Sequence, residues 1–574
     1  MFKSRCVTAI LTASLAAPVG AREASVALPD IGSSAGTVMS PAEQRAYGAN
    51  MLHELRSYGL VLDDPLLDDY INAVGYRLVA HSDRPDMSFT FFIVRDSEIN
   101  AFAAPGGYIA ANSGMIVAMQ REDELAAILA HEISHITQQH LLRAFEDAQK
   151  TSIPMALAML GAIIATSHRN DDSTGAAIVS GTSLIEQHQI DFTRHDEAEA
   201  DHVGIQTLAR AGYDPMAMAD TFAALQRVMR SNGVDVPEFL MTHPVDIHRI
   251  ADAKARAAQL GCPKSVTLVP QSTERASGKA LNLRLPAPTT DLLESQMPDE
   301  ASAERASDSS TVTVGAKSGV GTLPQVSVST CEPLSEAQQA YFEAMRERAR
   351  VLSADSPGAV LAYYAENLHE GSDFDTPANH YGFALALTRA HQSKRAVEEL
   401  ERLVAKHSGS SIFRLALADA EDQNGNHAGA EKLYDQLNRD FPDNHTIALA
   451  YADSLLARGT QEAGARAADL LRPLIDRFAD DPDLQKSLGH ANQLAGDKVR
   501  ATEAYAEAAY LNGHAEDALN QLKALLKMSD LNYYQRARVD ARITQLTPVV
   551  LELRHHGGEQ KPDSLAPVLA CCRK

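Results

Sequence analysis

Residues 127–140 read AILAHEISHITQQH, and within them His131, Glu132 and His135 are residue types at a spacing that can hold a metal and work beside it. On a helix, residues four apart project from one face about a turn apart, so the two imidazoles can share one ion. Glu132 then lies beside the metal rather than on it, placed to take a proton from a water molecule. Zinc suits such ligands and lowers the pKa of a coordinated water from about 15.7 to about 7, which makes a nucleophile available at neutral pH. These parts are the minimum machinery for amide hydrolysis. The neighbours Ala127, Ile128, Leu129, Ile133 and Ile136 are apolar, so the helix is expected to be buried and its polar triplet must find partners. A surface helix that happens to carry two histidines is the bland alternative.

A catalytic zinc site has three protein ligands and an open position, so a third ligand has to come from elsewhere in the chain. The stretch TRHDEAEADHVGIQTLARAGYDP sets Glu197, Asp201 and Gly204 on one helical stripe. From there Glu197 can approach the metal while Asp201 accepts a hydrogen bond from the free nitrogen of a ligating histidine, which fixes the ring's tautomer. On residue type alone Glu199 is a rival ligand, and a solvated acidic helix face remains the alternative for the whole stretch.

The elements that must position these residues read as mixed α and β. Apolar periodicity predicts helices from Ser40 to Tyr58 and from Leu66 to Ala80, and one long helix over REDELAAILAHEISHITQQHLLRAF. MSFTFFIVRD and the stretch around GGYIAANSGMI read as strands broken by a Pro-Gly-Gly turn. The run from Phe102 to Ser113 is expected to form an edge strand beside the HEISH helix, where extended peptide adds by main-chain hydrogen bonds. SIPMALAMLGAIIA, around Ile153 to Ala165, is too short to span a bilayer and is expected to flank the active site, with membrane contact as the other reading.

At 574 residues the chain has room for roughly three to four domains. Lys3 and Arg5 precede an apolar stretch of about 13 residues, the layout of a secretory signal cleaved after Ala21. From Pro263 to about Pro333 the composition turns to Ser, Thr, Ala, Pro and Gly, which cannot bury enough surface to offset ordering, and this reads as a flexible linker. Beyond it small residues recur at Ala384, Ala418, Ala452 and Gly489, at intervals of 34, 34 and 37. Each is followed by a second small position (Ala396, Ala430, Ala467, Ala501) and then by larger ones such as Leu400, Tyr434, Leu471 and Tyr505. That period and order resemble the tetratricopeptide repeat, a pair of antiparallel helices whose stacking leaves a protein-binding groove. The expected divisions are a signal at 1–21, a peptidase domain at 22–262, a linker at 263–335, a repeat domain at 336–550 and a tail at 551–574. The fold class expected is α+β, mostly helical with a small sheet, followed by an all-α repeat solenoid.

With 52 basic against 75 acidic residues the net charge is −23, which repels a phosphate backbone and argues against nucleic acid as a partner. Once Cys6 leaves with the signal, Cys262, Cys331, Cys571 and Cys572 remain, and four cysteines in an oxidising compartment allow three pairings. A Cys262–Cys331 bridge would close the linker into a loop.

HEISH followed by EAEAD and GYDP resembles the gluzincin peptidases that include HtpX and the CAAX prenyl proteases, whose pattern is HExxH followed by ExxxD. LPDIGSSAG, EINAFAAPGG, HEISHITQQHLLRAFED and, in the repeats, ARVDARITQL are similar to the BepA-like branch of that family. The resemblance implies one Zn2+ per chain on His131, His135 and Glu197, with Glu132 as general base and Asp201 in support. It also implies a role for His243 in FLMTHPVDIHRI, either as a positive group at the oxyanion or as a ligand that swings onto the metal and blocks it, and for Arg249 in stabilising the site. The activity implied is a periplasmic zinc metalloendopeptidase acting on misfolded or stalled outer-membrane proteins, with chaperone-like assembly activity through the repeats. The alternative is a mainly non-proteolytic assembly factor whose site His243 holds shut. Partners implied are unfolded outer-membrane proteins, the outer-membrane assembly machinery at the repeat groove, and the membrane surface by peripheral contact.

Overall fold

The computed structural model describes residues 39–144, 194–231, 238–260, 334–442, 444–529 and 531–558. The signal, the apolar stretch around 153–165, nearly all of the linker and all five cysteines lie outside the described residues.

α1 (Pro41–Ser57) starts where the Ser40 hydroxyl accepts from Glu43 N–H and the Glu43 carboxylate accepts from Ser40 N–H, a reciprocal cap that fixes its first residue. α2 (Pro65–Val79) is capped by Asp64, begins on a proline that has no N–H to lose, and buries Leu66, Leu67, Tyr70, Ile71, Val74 and Leu78. A three-stranded sheet follows, made of β1 (Thr90–Val94), β2 (Ala101–Ala104) and β3 (Tyr108–Asn112) in the order β1-β3-β2. β3 runs parallel to β1 and antiparallel to β2, with the Pro105-Gly106-Gly107 turn between the last two. Gly106 and Gly107 take φ of +86° and +89°, and a side chain at Gly107 would meet the Ser88 carbonyl at 2.1 Å, so the turn depends on glycine.

The expected edge strand is therefore split. Ala101–Ala104 is one edge, and Tyr108–Asn112 is the central strand. SGMI, expected to continue the strand, instead opens α3 (Ser113–Ala118), because Gly114 N–H leaves the ladder for the Asp96 carbonyl.

α4 (Glu122–Thr137) carries HEISH and is buried along nearly its whole length. It is shorter than predicted. Gln138 ends it, Gln139 adopts φ +58°, and a new helical turn begins at residue 140. α5 (Arg194–Arg210) packs along α4, and a side chain at Gly204 would meet the Met218 methyl at 3.0 Å and the Ala130 backbone at 3.4 Å. α6 (Ala217–Ser231), the short α7 (Glu238–Thr242) and α8 (Ile247–Gln259) close over the same face.

The repeat half begins with α9 (Glu336–Ser353), which packs on α2, α3 and α4 as well as on the first repeat. Antiparallel pairs follow, Pro377–Arg389 with Ser393–Lys406, Ser411–Gln423 with His427–Asp440, His445–Leu456 with Gln461–Leu471, and Pro482–Ala495 with Lys498–Leu511. Ala515–Leu526 and the long Tyr533–Gly558 helix end the described chain. The small positions sit where helices cross: Ala384, Ala396, Ala418, Ala430, Ala452 and Ala467 are fully buried. A side chain at Gly489 would meet the Tyr505 ring at 2.7 Å. One continuous apolar core runs from α2 and α4 through α9 into the repeats, so the two halves pack as a unit across the linker. No described helix is long and apolar enough to cross a membrane.

Candidate active site

α4 and α5 together bring the predicted residues to one point. His131 and His135 turn their Nε2 atoms towards each other at 3.0 Å. Glu197, from the first turn of α5, places Oε2 at 3.6 Å from His131 Nε2 and Oε1 at 3.5 Å from His135 Nε2. His243 follows α7, whose Phe239 carbonyl accepts from its backbone N–H and whose Phe239 ring stacks on its imidazole. Its Nδ1 lies 2.9 Å from Glu197 Oε1 and 3.4 Å from His131 Nε2. All four side chains are buried, and one donor atom from each falls within 4.8 Å of the others.

This donor set fits a metal cation. Asp201 Oδ1 lies 3.1 Å from His131 Nδ1, and a carboxylate only accepts, so this contact favours the tautomer with the hydrogen on Nδ1 and a lone pair on the Nε2 that faces the cluster. Converging lone pairs and a carboxylate in a dry core are costly without a shared positive charge. Two imidazoles and a carboxylate, with a third imidazole at hand, match the ligand types of zinc.

Glu132 is also buried, and its Oε1 has no hydrogen-bond partner among the described residues; His243 Nε2 is 3.7 Å away. Burial pushes its carboxyl up, against the pull of His243 and His131, and the net shift is upward. That moves it in the direction a general base at neutral pH requires. For Glu197 burial also pushes up, but His243, His131 and Arg249 outweigh it and hold the carboxyl below the usual value. Asp201 is held low in the same way, burial being outweighed by hydrogen bonds from His131 and Arg249. His135 is pushed far down by burial and by the neighbouring imidazoles and Arg249, so its ring is neutral, as a ligand must be.

Arg249 lies in the first turn of α8, after the Asp246 cap. It donates through Nε and Nη2 to both Asp201 oxygens at 2.8 Å, its Nη1 lies 2.8 Å from Glu197 Oε2, and its guanidinium lies over the Phe222 ring. It and Asp201 touch the side chains of the His/Glu cluster.

Glu199, the rival ligand, points elsewhere: its Oε2 lies 3.1 Å from His140 Nε2 and 2.8 Å from Arg143 Nη2. Nothing in the local sequence pattern marks His140 and Arg143 as part of the site. The sequence holds a histidine five residues after His135, but on an unbroken helix that spacing separates the two rings, so the signal was not readable as contact.

The profile of peptidase family M48 matches residues 65–257, which span α2 to α8, and that of a tetratricopeptide repeat matches residues 411–454. Over 94% of both chains, the sequence is 30% identical to the beta-barrel assembly-enhancing protease of Escherichia coli. The chain belongs to the M48 peptidase family. This M48 peptidase is also 39% identical over 258 residues to a putative beta-barrel assembly-enhancing protease of Vibrio cholerae, covering 45% of this chain and 53% of that one. The mitochondrial metalloendopeptidase OMA1 of Schizosaccharomyces pombe is 28% identical over 181 residues, 32% of this chain and 50% of that one. As an M48 member with repeats attached, the protein is a metalloendopeptidase.

Proposed function

We propose that this M48 peptidase is a zinc endopeptidase of the periplasm that hydrolyses misfolded or stalled outer-membrane proteins, and that its repeats lend it an assembly-promoting, chaperone-like activity. The observation that carries the reading is the meeting of His131, His135 and Glu197 at one buried point with the unpartnered Glu132 oxygen beside it. The substrate class rests on the likeness to the beta-barrel assembly-enhancing protease of Escherichia coli, and export rests on the signal-like first 21 residues.

When bound, zinc would supply Lewis-acid activation of water and of the scissile carbonyl. Glu132 takes the proton of the attacking water and passes it to the leaving amine. Asp201 holds His131 in the tautomer that leaves Nε2 free, and Arg249 holds Asp201 and Glu197 in place. The edge strand β2, which packs against α4, offers main-chain groups on which an extended segment can be laid, a selection for unfolded chain.

A second reading has its own support. His243 lies among the ligand atoms, so it can take the position that water and substrate need, and the repeats would then provide the main activity. Metal analysis and casein cleavage by the purified full chain separate the two. One zinc per chain is expected in wild type, His243→Ala and Glu132→Gln, with faster cleavage by His243→Ala. Glu132→Gln is expected to lose roughly 10²–10⁴-fold in cleavage rate, the usual contribution of a general base. If neither wild type nor His243→Ala holds stoichiometric zinc, the peptidase reading fails. If Glu132→Gln supports outer-membrane protein assembly as well as wild type does, the non-proteolytic reading replaces it.

A further inference from the structure

His135 and His140 are five residues apart, and on a continuous helix their side chains would be about 140° apart around the axis and about 7.5 Å apart along it. In the structure their Nδ1 atoms lie 2.9 Å apart. The break in α4 makes this contact possible. Gln138 ends the helix, Gln139 takes φ +58°, a conformation uncommon for a residue other than glycine, and the chain restarts with the His140 ring folded back under His135.

We propose that His140 is a positioning residue for the metal centre, linking His135 to a carboxylate pair on α5 so that His135 presents its Nε2 lone pair to the metal. This rests on the reading of His135 as a metal ligand. His140 Nε2 lies 3.1 Å from Glu199 Oε2 and 3.9 Å from Asp196 Oδ1. Carboxylates only accept, so that nitrogen carries the hydrogen, and a neutral ring is then bare at Nδ1. The bare Nδ1 accepts from His135 Nδ1–H, and His135 Nε2 is left facing His131 Nε2 at 3.0 Å. Arg143, one turn further on, holds both carboxylates, at 2.8 Å from Glu199 and 3.3 Å from Asp196.

The two metal-facing imidazoles are thus oriented from the same helix by different routes. Asp201 reaches His131 directly, whereas Asp196 and Glu199 reach His135 through His140. A carboxylate behind a ligating imidazole fixes its orientation and raises its basicity, and an intervening ring can transmit the same constraint.

The test uses the full chain. Zinc affinity is measured by chelator competition, and the Co2+-substituted protein is examined for its d–d absorption. His140→Leu removes the acceptor, and about 10–100-fold weaker zinc binding with an altered cobalt spectrum is expected. His140→Asn puts an amide oxygen near the place of Nδ1 and is expected to recover most of the affinity, which a role in packing alone would not predict. Glu199→Leu, at a partly exposed site touching no metal-facing residue, is expected to weaken binding in the same direction; it carries the test if His140→Leu does not fold. Wild-type affinity and spectrum in both leucine variants overturn the proposal while leaving the ligand set intact. Absence of metal from wild type overturns the ligand reading as well.

Discussion

Arg249 lies against two carboxylates that burial alone would push towards neutrality, yet both Glu197 and Asp201 are held below their usual values. Its fork geometry matters, because Nε and Nη2 serve Asp201 while Nη1 reaches Glu197 and donates to the Pro244 carbonyl. Arg249→Met keeps the bulk and removes the charge, leaving the two buried carboxylates with only their histidine partners. A loss of about 3–5 kcal/mol is expected, the usual effect of breaking a buried pair from one side, read as a lower denaturation midpoint of the metal-free protein. Arg249→Lys is expected to fall between, since one ammonium cannot span both partners. An unchanged midpoint for the Met variant would show that the two carboxylates find compensation elsewhere.

α4 is anchored at its start by a different buried carboxylate. Glu122 accepts from the Tyr70 and Tyr213 hydroxyls, which tie the helix to α2 and to the turn after α5. Burial raises its pKa to about 7, against the opposing effects of Tyr213, Arg77 and Tyr70. The folded state therefore holds a proton that the unfolded chain releases near the ordinary carboxylate value. Stability contributed by this group is full below about pH 4.5 and declines as pH rises towards about 7. Glu122→Gln, which keeps the shape, is expected to flatten that decline by about 1–3 kcal/mol between pH 5 and pH 7.5 in urea titrations. The same dependence in variant and wild type would mean that Glu122 is already ionised in the folded protein. At the other end of α4, Gln139 interrupts a helix that the apolar pattern would have continued, and the His135–His140 contact depends on that interruption.

Across the whole molecule, the repeats embrace the peptidase half. Arg348 on α9 makes two 2.7 Å contacts to Asp64, the cap of α2, and donates to the Tyr381 hydroxyl in the first repeat. Thr446 donates to Asp69, and the turn at Gly513 meets α1 so closely that a side chain there would lie 2.3 Å from the His53 carbonyl. Between Pro65 and the repeat residues Asp419, Asp453, Lys486 and Tyr505 a cavity of about 610 Å³ remains. Arg348→Met leaves the buried Asp64 carboxylate with the N-terminus of α2 but without its cation. A loss of about 3–5 kcal/mol is expected, with separate unfolding of the two halves in urea, and Asp64→Asn added to it is expected to restore part of the loss. A single transition at the wild-type midpoint would show that apolar packing alone holds the halves together.

The sequence by itself determined the chemistry of HEISH, the repeat period and the character of the helices, because each is written in local spacing: four residues for one helix face, about 34 for one helix pair. It reached Glu197 over Glu199 only through family resemblance, since both lie on one acidic helix and local spacing does not say which faces α4. Only the tertiary structure decided that Glu197 meets His131 and His135 while Glu199 backs His140, that Ala101–Ala104 is one edge of the sheet, and that Arg348 joins the halves. These depend on the packing of α4 against α5, on a single left-handed residue at Gln139, and on contacts hundreds of residues apart. No periodicity records such features, because they arise from how whole elements meet in space.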